Sequence, residues 1–155
     1  MEMDVEKLIR EYLPDVIHMS LGTCRDNQPW VCEVHFAYDE DLNLYFRSLT
    51  SRRHSQEIAD NTKVAGNIVK QVALDEFCKG VINFEGTAKL LQPGEEQNKA
   101  FTCIVNRLHL KDSILDDAKN PDGHQFYKIT VNKWSIFGKF TDEGAQKYEL
   151  EWNKS

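Results

Sequence analysis

Long hydrophobic runs are missing from this sequence. Nothing in its 155 residues approaches the roughly 20 consecutive apolar residues that cross a bilayer as a helix, so no membrane span is expected. Positive charge is also in short supply: 19 Lys and Arg stand against 25 Asp and Glu, a net charge of −6. Such a surface repels nucleic-acid backbones and anionic membranes, which removes both as expected partners. Any bound anion must then be held by a local basic cluster. Cysteine is sparse and unpaired. Cys24, Cys32, Cys78 and Cys103 form no CxxC, there is no HExxH, and the ligand spacings of zinc sites are absent. His18, Cys24, Cys32 and His35 could face one another on neighbouring strands, but cysteine is commonly a small core residue, and no metal is expected. Free thiols in a reducing cytosol are the expectation. The opening MEMDVEKLIREYL is charged and amphipathic, unlike the basic-then-apolar layout of a signal peptide. Repeats and Gly/Pro-rich linkers are lacking as well, so one domain over residues 1–155 is expected.

What is there is a chain with 41% hydrophobic residues, enough to build a core. Asp4 is placed to cap a short helix in which Val5, Leu8, Ile9, Tyr12 and Leu13 recur at helical spacing, ended by Pro14. The period then becomes two. Residues 16–24 alternate with Ile17, Met19 and Leu21 on one face, and Arg25-Asp26-Asn27-Gln28 is turn material. Pro29 opens a strand carrying Trp30, Val34 and Phe36. Asp39-Glu40-Asp41 turns into a third strand with Leu42, Leu44 and Phe46 inward. The pattern predicts a helix from Ser48 to Asn61 capped by Thr50 or Ser51, then strands over 64–72 and 79–91, with Gly86 marking a bulge or close approach. Pro93 and Glu95-Glu96 start a helix whose buried stripe is Ala100, Phe101, Ile104, Val105 and Leu108. A polar stretch follows over 111–123, then a long strand over 124–137 and an edge strand or partner contact over 148–152. The expected fold is mainly β: a six-stranded antiparallel split β-barrel with peripheral α-helices, closed to remove its edges.

One segment concentrates chemistry. Leu44-Tyr45-Phe46-Arg47-Ser48-Leu49-Thr50-Ser51-Arg52-Arg53-His54 gathers three arginines, a histidine and three hydroxyls where a strand gives way to a helix. Unpaired N–H groups and the positive dipole end of a first helical turn suit a phosphate. Guanidiniums add charge-assisted hydrogen bonds. Two readings stay open on the residues alone: ordinary capping with solvated arginines, or a phosphate site. Arginine works against the dipole in a first turn, so a pair of them there favours the second.

The run from Gly22 to Ile68 resembles the FMN-binding split-barrel family typified by pyridoxamine 5′-phosphate oxidase. The resemblance is carried by Gly-Thr-Cys-Arg-Asp-Asn-Gln-Pro-Trp-Val, by Leu-Tyr-Phe-Arg-Ser-Leu-Thr-Ser-Arg-Arg-His, by Ile-Ala-Asp-Asn-Thr-Lys-Val-Ala, and later by Phe-Glu-Gly-Thr-Ala-Lys-Leu. It implies FMN as cofactor, with the phosphate on Ser51, Arg52 and Arg53, Arg47 and Ser48 lining the approach, and the Thr50 hydroxyl nearby. The flavin ring is implied along Trp30-Val31-Cys32-Glu33, which makes Val31 and Cys32 cofactor contacts. A homodimer with the cofactor at its interface is implied too, with residues of the later strands, Trp134 among them, reaching in from the partner; packing alone is the competing role for Trp30 and Trp134. The implied activity is an FMN-dependent oxidoreductase acting on a small molecule. The chain ends without the arginine-rich segment that the true oxidases use on their substrate, so it is not expected to be that oxidase itself. The alternative is a non-catalytic flavin, haem or deazaflavin binding module in stress response or cofactor storage. No general base stands out: His35 and His54 qualify by type only.

Overall fold

The structure is a computed structural model, and residues 2–76 and 79–153 are described; Cys78, read above as a free thiol, lies outside them. The first helix, α1 (Val5–Tyr12), forms as its spacing predicts. Asp4 caps it by accepting from the Lys7 N–H at 3.0 Å. Ile9 and Tyr12 are its buried residues, and Pro14 sits in a short 3-10 turn, Leu13–Asp15. β1 (His18–Arg25) and β2 (Gln28–His35) make a hairpin pairing His18 with His35 and Arg25 with Gln28. Asp26 and Asn27 both take left-handed backbone, φ 51° and 66°, as a two-residue type I′ connection requires.

β3 (Ala37–Tyr38), β4 (Leu44–Ser48), α2 (Arg53–Asp60), β5 (Lys63–Val69), β6 (Gly80–Leu90), α3 (Glu95–Leu108), α4 (Ser113–Asp117), β7 (Gln125–Thr141) and β8 (Gly144–Glu151) follow. The described residues thus form eight strands rather than six. The extra pieces are the two-residue β3 and the full-length β8, of which the pattern showed only the end. All belong to one antiparallel sheet ordered β2-β1-β5-β6-β7-β4-β3, with β8 also on β7. The long β7 makes this possible by serving two partners in succession: Gln125 to Ile129 pair with β4, and Lys133 to Thr141 pair with β8. Opposite that switch, the β6–β7 register shifts between Glu85 and Gly86, where β7 holds one extra residue, Asn132, between Lys133 and Val131. A Cβ at Gly86 would stand 2.2 Å from the Thr130 carbonyl oxygen, so the close approach expected there is real. The sheet curls until β2 comes back beside β4, giving a split half-barrel. Among the described residues no helix is long and apolar enough to cross a membrane.

Two cores result. Met19, Leu21, Phe46, Ile68, Ile82, Phe84, Trp134 and Ile136 fill the inside of the curl. Tyr45, Ala100, Ile104 and Phe126 form a second cluster under α3. β4 is therefore buried on both faces, where alternation alone predicts one, because α3 lies across its outer side. Within the α3 stripe Ala100 and Ile104 are fully buried and Phe101, Val105 and Leu108 only partly. Trp134 is wholly buried, its ring 5.9 Å from Phe84. It belongs to the core and offers no surface to a second subunit, contrary to the role implied for it. Ile17 and Trp30 also depart from expectation: both are over 40% exposed. Ile17 precedes β1, and Trp30 lies on the edge strand beyond the reach of the core.

Candidate functional site

β4 stays in the ladder to Ser48, which pairs with Gln125. The chain then turns through Leu49–Arg52, where the Arg52 N–H donates to the Leu49 carbonyl at 3.1 Å. The helix expected from Ser48 starts only at Arg53. Arg52, not Thr50 or Ser51, takes the capping position, and no side chain caps the first turn. The reason is that Ser48 is still a strand residue, leaving Thr50 and Ser51 exposed in the turn.

Beside this turn opens a cleft of about 540 Å³, a size typical of cofactor and small-molecule sites. Its walls are Ile17, the β2 residues Glu33, Val34 and His35, and the end of β4 from Phe46 to Leu49. Arg52 and His54 at the start of α2 add to it, as do Ile104, Arg107, Leu108, His109 and Leu110 at and just past the end of α3, and His124. Arg107 is fastened by backbone oxygen: Nε donates to the Phe36 carbonyl at 3.2 Å, and Nη2 donates to those of Leu13, at 2.9 Å, and Val16. It stacks on the rings of Phe36 and Tyr38, and burial pushes its pKa down. His109 ends α3 in left-handed backbone, φ 54°. His124 stands 3.5 Å from Asp117. A second cleft, of about 490 Å³, is lined by Thr50, Ser55 and Tyr127 among others.

The residues singled out in the sequence are thereby divided. Arg47, Ser48 and Arg52 line the larger cleft. Arg47 donates from Nη2 to Asp117 at 3.1 Å and lies over the Phe126 ring, but its Nε is buried with no hydrogen-bond partner among the described residues. The Ser48 Oγ lies 2.8 Å from His54 Nε2 and accepts from the Ser55 hydroxyl at 2.9 Å. Burial, and then the charge of Arg52, hold the His54 pKa below its usual value, which keeps this imidazole neutral at pH 7. Arg53 turns away from the cleft. It donates from Nε to Glu57 at 2.7 Å and packs its guanidinium 4.1 Å above the Trp30 ring. Glu57 is held below the usual carboxylate range by Arg53, with a further bond from Thr23. Ser51 is exposed, and Val31 and Cys32 lie on edge strand β2 outside the cleft. Burial pushes the Cys32 thiol up, so it stays protonated.

Sequence reasoning missed Arg107, His109 and His124 as site residues. They lie far from the Arg47–His54 segment in the chain, and only the curl of the sheet and the return of α3 bring them to it. One signal was available: of five histidines, four line this cleft.

Comparison with known proteins places this geometry in context. The sequence pattern of the pyridoxamine 5′-phosphate oxidase family matches residues 5–138. No curated protein sequence matches the chain. Among solved structures, the heme binding protein from Mycobacterium smegmatis superposes with a TM-score of 0.78 at 12% identity, over 97% of this chain and 59% of that one. The heme storage protein HutZ from Vibrio cholerae gives 0.67 at 16% identity, over 83% and 91%. General Stress Protein 26 from Bacillus anthracis gives 0.64 at 18% identity, over 96% and 99%. At such identities these likenesses are ones of fold. With the family pattern running from α1 into the second half of β7, and the curled antiparallel sheet that goes with it, the chain belongs to the pyridoxamine 5′-phosphate oxidase family.

Proposed function

We propose that the protein is a cofactor-binding module whose cleft holds FMN, with the phosphate taken by Arg47, Ser48 and Arg52 where β4 turns into α2. The observation that carries this reading is the charge of the cleft. Arg47, Arg52 and Arg107 line it with Glu33 as the one carboxylate among its lining residues, in a chain of net charge −6. Arg10, Arg25, Arg47 and Arg53 each have an acidic partner, whereas Arg52 and Arg107 have none among the described residues. Cations left unmatched in an acidic protein call for an anion from outside. The orphaned Arg47 Nε fits the same group, because a buried donor without an acceptor costs about 1–3 kcal/mol that a ligand oxygen can offset. Apolar side chains of Ile17, Val34, Phe46, Ile104 and Leu108 line the rest of the cleft and suit a flat aromatic ring system.

Bound FMN supplies hydride and one-electron chemistry; the chain binds it, orients it and limits access to it. Thr50, Ser51 and Arg53 stand on the outer side of the phosphate turn, and Val31 and Cys32 on the adjoining edge. In this reading they meet the cofactor where a second copy packs against β2, an edge strand that exposes Trp30 and Val31 and that needs covering. A homodimer is therefore part of the proposal, and a small-molecule substrate would share the cleft. A second reading, haem, is favoured by one observation: His35, His54, His109 and His124 line the cleft. It is supported by the fold shared with proteins named for heme binding and storage.

The visible spectrum of the purified protein tests both. Flavin absorbance that survives dialysis is expected, and a Soret band would select haem instead. A protein that retains neither FMN nor haemin on reconstitution would sink the reading. Bleaching of bound flavin by NADH or NADPH would make the module an oxidoreductase. Size-exclusion chromatography is expected to show a dimer, and a stable FMN-bound monomer contradicts the shared site.

A further inference from the structure

Among the described residues, Arg107 is the one cation that the fold withdraws from water without an opposite charge. Every other half-buried Lys or Arg among them, from Arg10 to Lys133, has a carboxylate within 3.5 Å. Arg52 also lacks one, but it is exposed and water screens its charge. The bonds of Arg107 are to neutral oxygen: Nε donates to the Phe36 carbonyl at 3.2 Å, and Nη2 to those of Leu13, at 2.9 Å, and Val16. The carbonyl end of α3 favours a cation, yet that is a fraction of a charge and no counter-ion. Uncharged donors would tie the same carbonyls together without the desolvation that burial imposes on this group. A guanidinium has five N–H groups. Those on Nη1 have no partner among the described residues and are not sealed off, in a side chain that lines the cleft.

We propose that Arg107 Nη1 is the docking point for the carboxylate of a small, otherwise apolar acid, the molecule that shares the cleft with the cofactor. This rests on the cleft being a ligand site, as in the preceding reading, and gives the chemical class of its second occupant. A single free nitrogen and one positive charge suit a monoanion. A phosphate, with more oxygens and up to two charges, calls for several donors, and those stand where β4 turns into α2. The walls next to Arg107 set the rest of the ligand. Ile104 lies one turn before it on α3, Leu108 directly after it, and Ile17 directly after the Val16 carbonyl that holds it. All three line the cleft. An acid with an aromatic or branched body buries that body on them and brings the missing negative charge to the guanidinium. With Nε and Nη2 committed and the rings of Phe36 and Tyr38 against it, Arg107 is held in place. It therefore selects by position as well as by charge.

Benzoate, with benzyl alcohol as its uncharged counterpart, tests this on the full chain by calorimetry, with and without FMN. Wild type is expected to bind benzoate saturably in both states. Benzyl alcohol should bind at least about tenfold more weakly, the loss of one charged hydrogen bond. Arg107→Lys keeps the positive charge but offers a single ammonium, which the carbonyls of Leu13 and Val16 occupy. It is expected to weaken benzoate binding at least about tenfold as well. Equal affinity for the two probes, no saturable benzoate binding, or unchanged affinity in Arg107→Lys overturns the proposal. So does displacement of benzoate by FMN, since Arg107 then serves the cofactor's own oxygens. Should Arg107→Lys fail to fold, wild type decides alone: benzoate must shift the backbone amide resonances of Arg107 and Leu108 saturably, and benzyl alcohol at the same concentration must leave them in place. If wild type takes up no FMN, the cofactor reading falls, while the benzoate titration of the cofactor-free chain still decides the role of Arg107.

Discussion

The two ends of β4 hold two polar clusters of opposite character. At its start, the buried carboxylate of Asp39 accepts from the N–H groups of Asp41 and Asn43, from Asn43 Nδ2, all at 3.0 Å, and from the Tyr45 hydroxyl at 2.8 Å. Lys99 approaches to 3.5 Å. At its end, Arg52 and, across the cleft, Arg107 lack acidic partners among the described residues, and one N–H of Arg47 is orphaned. The first cluster is complete within the chain and so serves the fold. The second is complete only with something added, and an incomplete polar site in a folded protein is where a ligand belongs.

That contrast can be broken by mutation at either end. The largest effect is expected from Asp39→Ala, which strands the Tyr45 hydroxyl and the turn amides in a dry site. It should lower unfolding stability by about 3–5 kcal/mol, as removal of one partner from a buried charged network does, with chemical denaturation as the measurement. A loss under about 1 kcal/mol would mean the turn rearranges freely. Cofactor retention should be untouched in any Asp39 variant that folds. Next comes Arg52→Ala, expected to weaken FMN binding by about ten- to a hundredfold, the range of one charged hydrogen bond at about 1.5–3 kcal/mol, with little change in stability. Arg53→Ala should cost FMN binding less, because that guanidinium is already committed to Glu57 and Trp30. Equal losses at the two positions would show that Arg53 leaves Glu57 when the cofactor arrives.

The smallest effect concerns pH. Burial works against the charge on Asp39, but the bonds from Asn43 and Tyr45 together outweigh it and hold the carboxyl below its usual range. A depressed folded-state pKa means stability that is complete above the unfolded carboxylate's pKa, about 3.9, and is lost as pH falls through the lower folded value. Acid titration followed by circular dichroism should therefore show a component below about pH 4 that is missing in Asp39→Asn. Its persistence in that variant would assign it to other carboxylates.

Much of this architecture was legible because it is local. Asp26-Asn27 announces its turn through residues that tolerate left-handed backbone. Gly86 announces a close approach because a side chain there would strike the opposite strand. The stripe on α3 is legible from its period, and Arg47, Ser48 and Arg52 from their crowding at a strand end. The start of α2 was misjudged since Thr50 and Ser51 are good caps by type, while the ladder to β7 keeps Ser48 in strand geometry. Adjacency groups Arg53 with Arg52, yet Arg52 is an extended cap residue outside the helix while Arg53 is its first helical residue, and Glu57 one turn on captures only Arg53.

The amino-acid order by itself determined the backbone conformation of most short stretches and much of their apolar patterning, since those follow from bonded neighbours, allowed dihedrals and repeat period. Which charges would be neutralised was decided only in three dimensions. Arg107 arrives at the cleft from α3 and His54 from α2, and Asp117 reaches Arg47 from α4, because β7 divides its edge between two partners and the sheet curls. Coulombic and hydrogen-bond energies depend on distance through space, and that distance is a property of the closed fold.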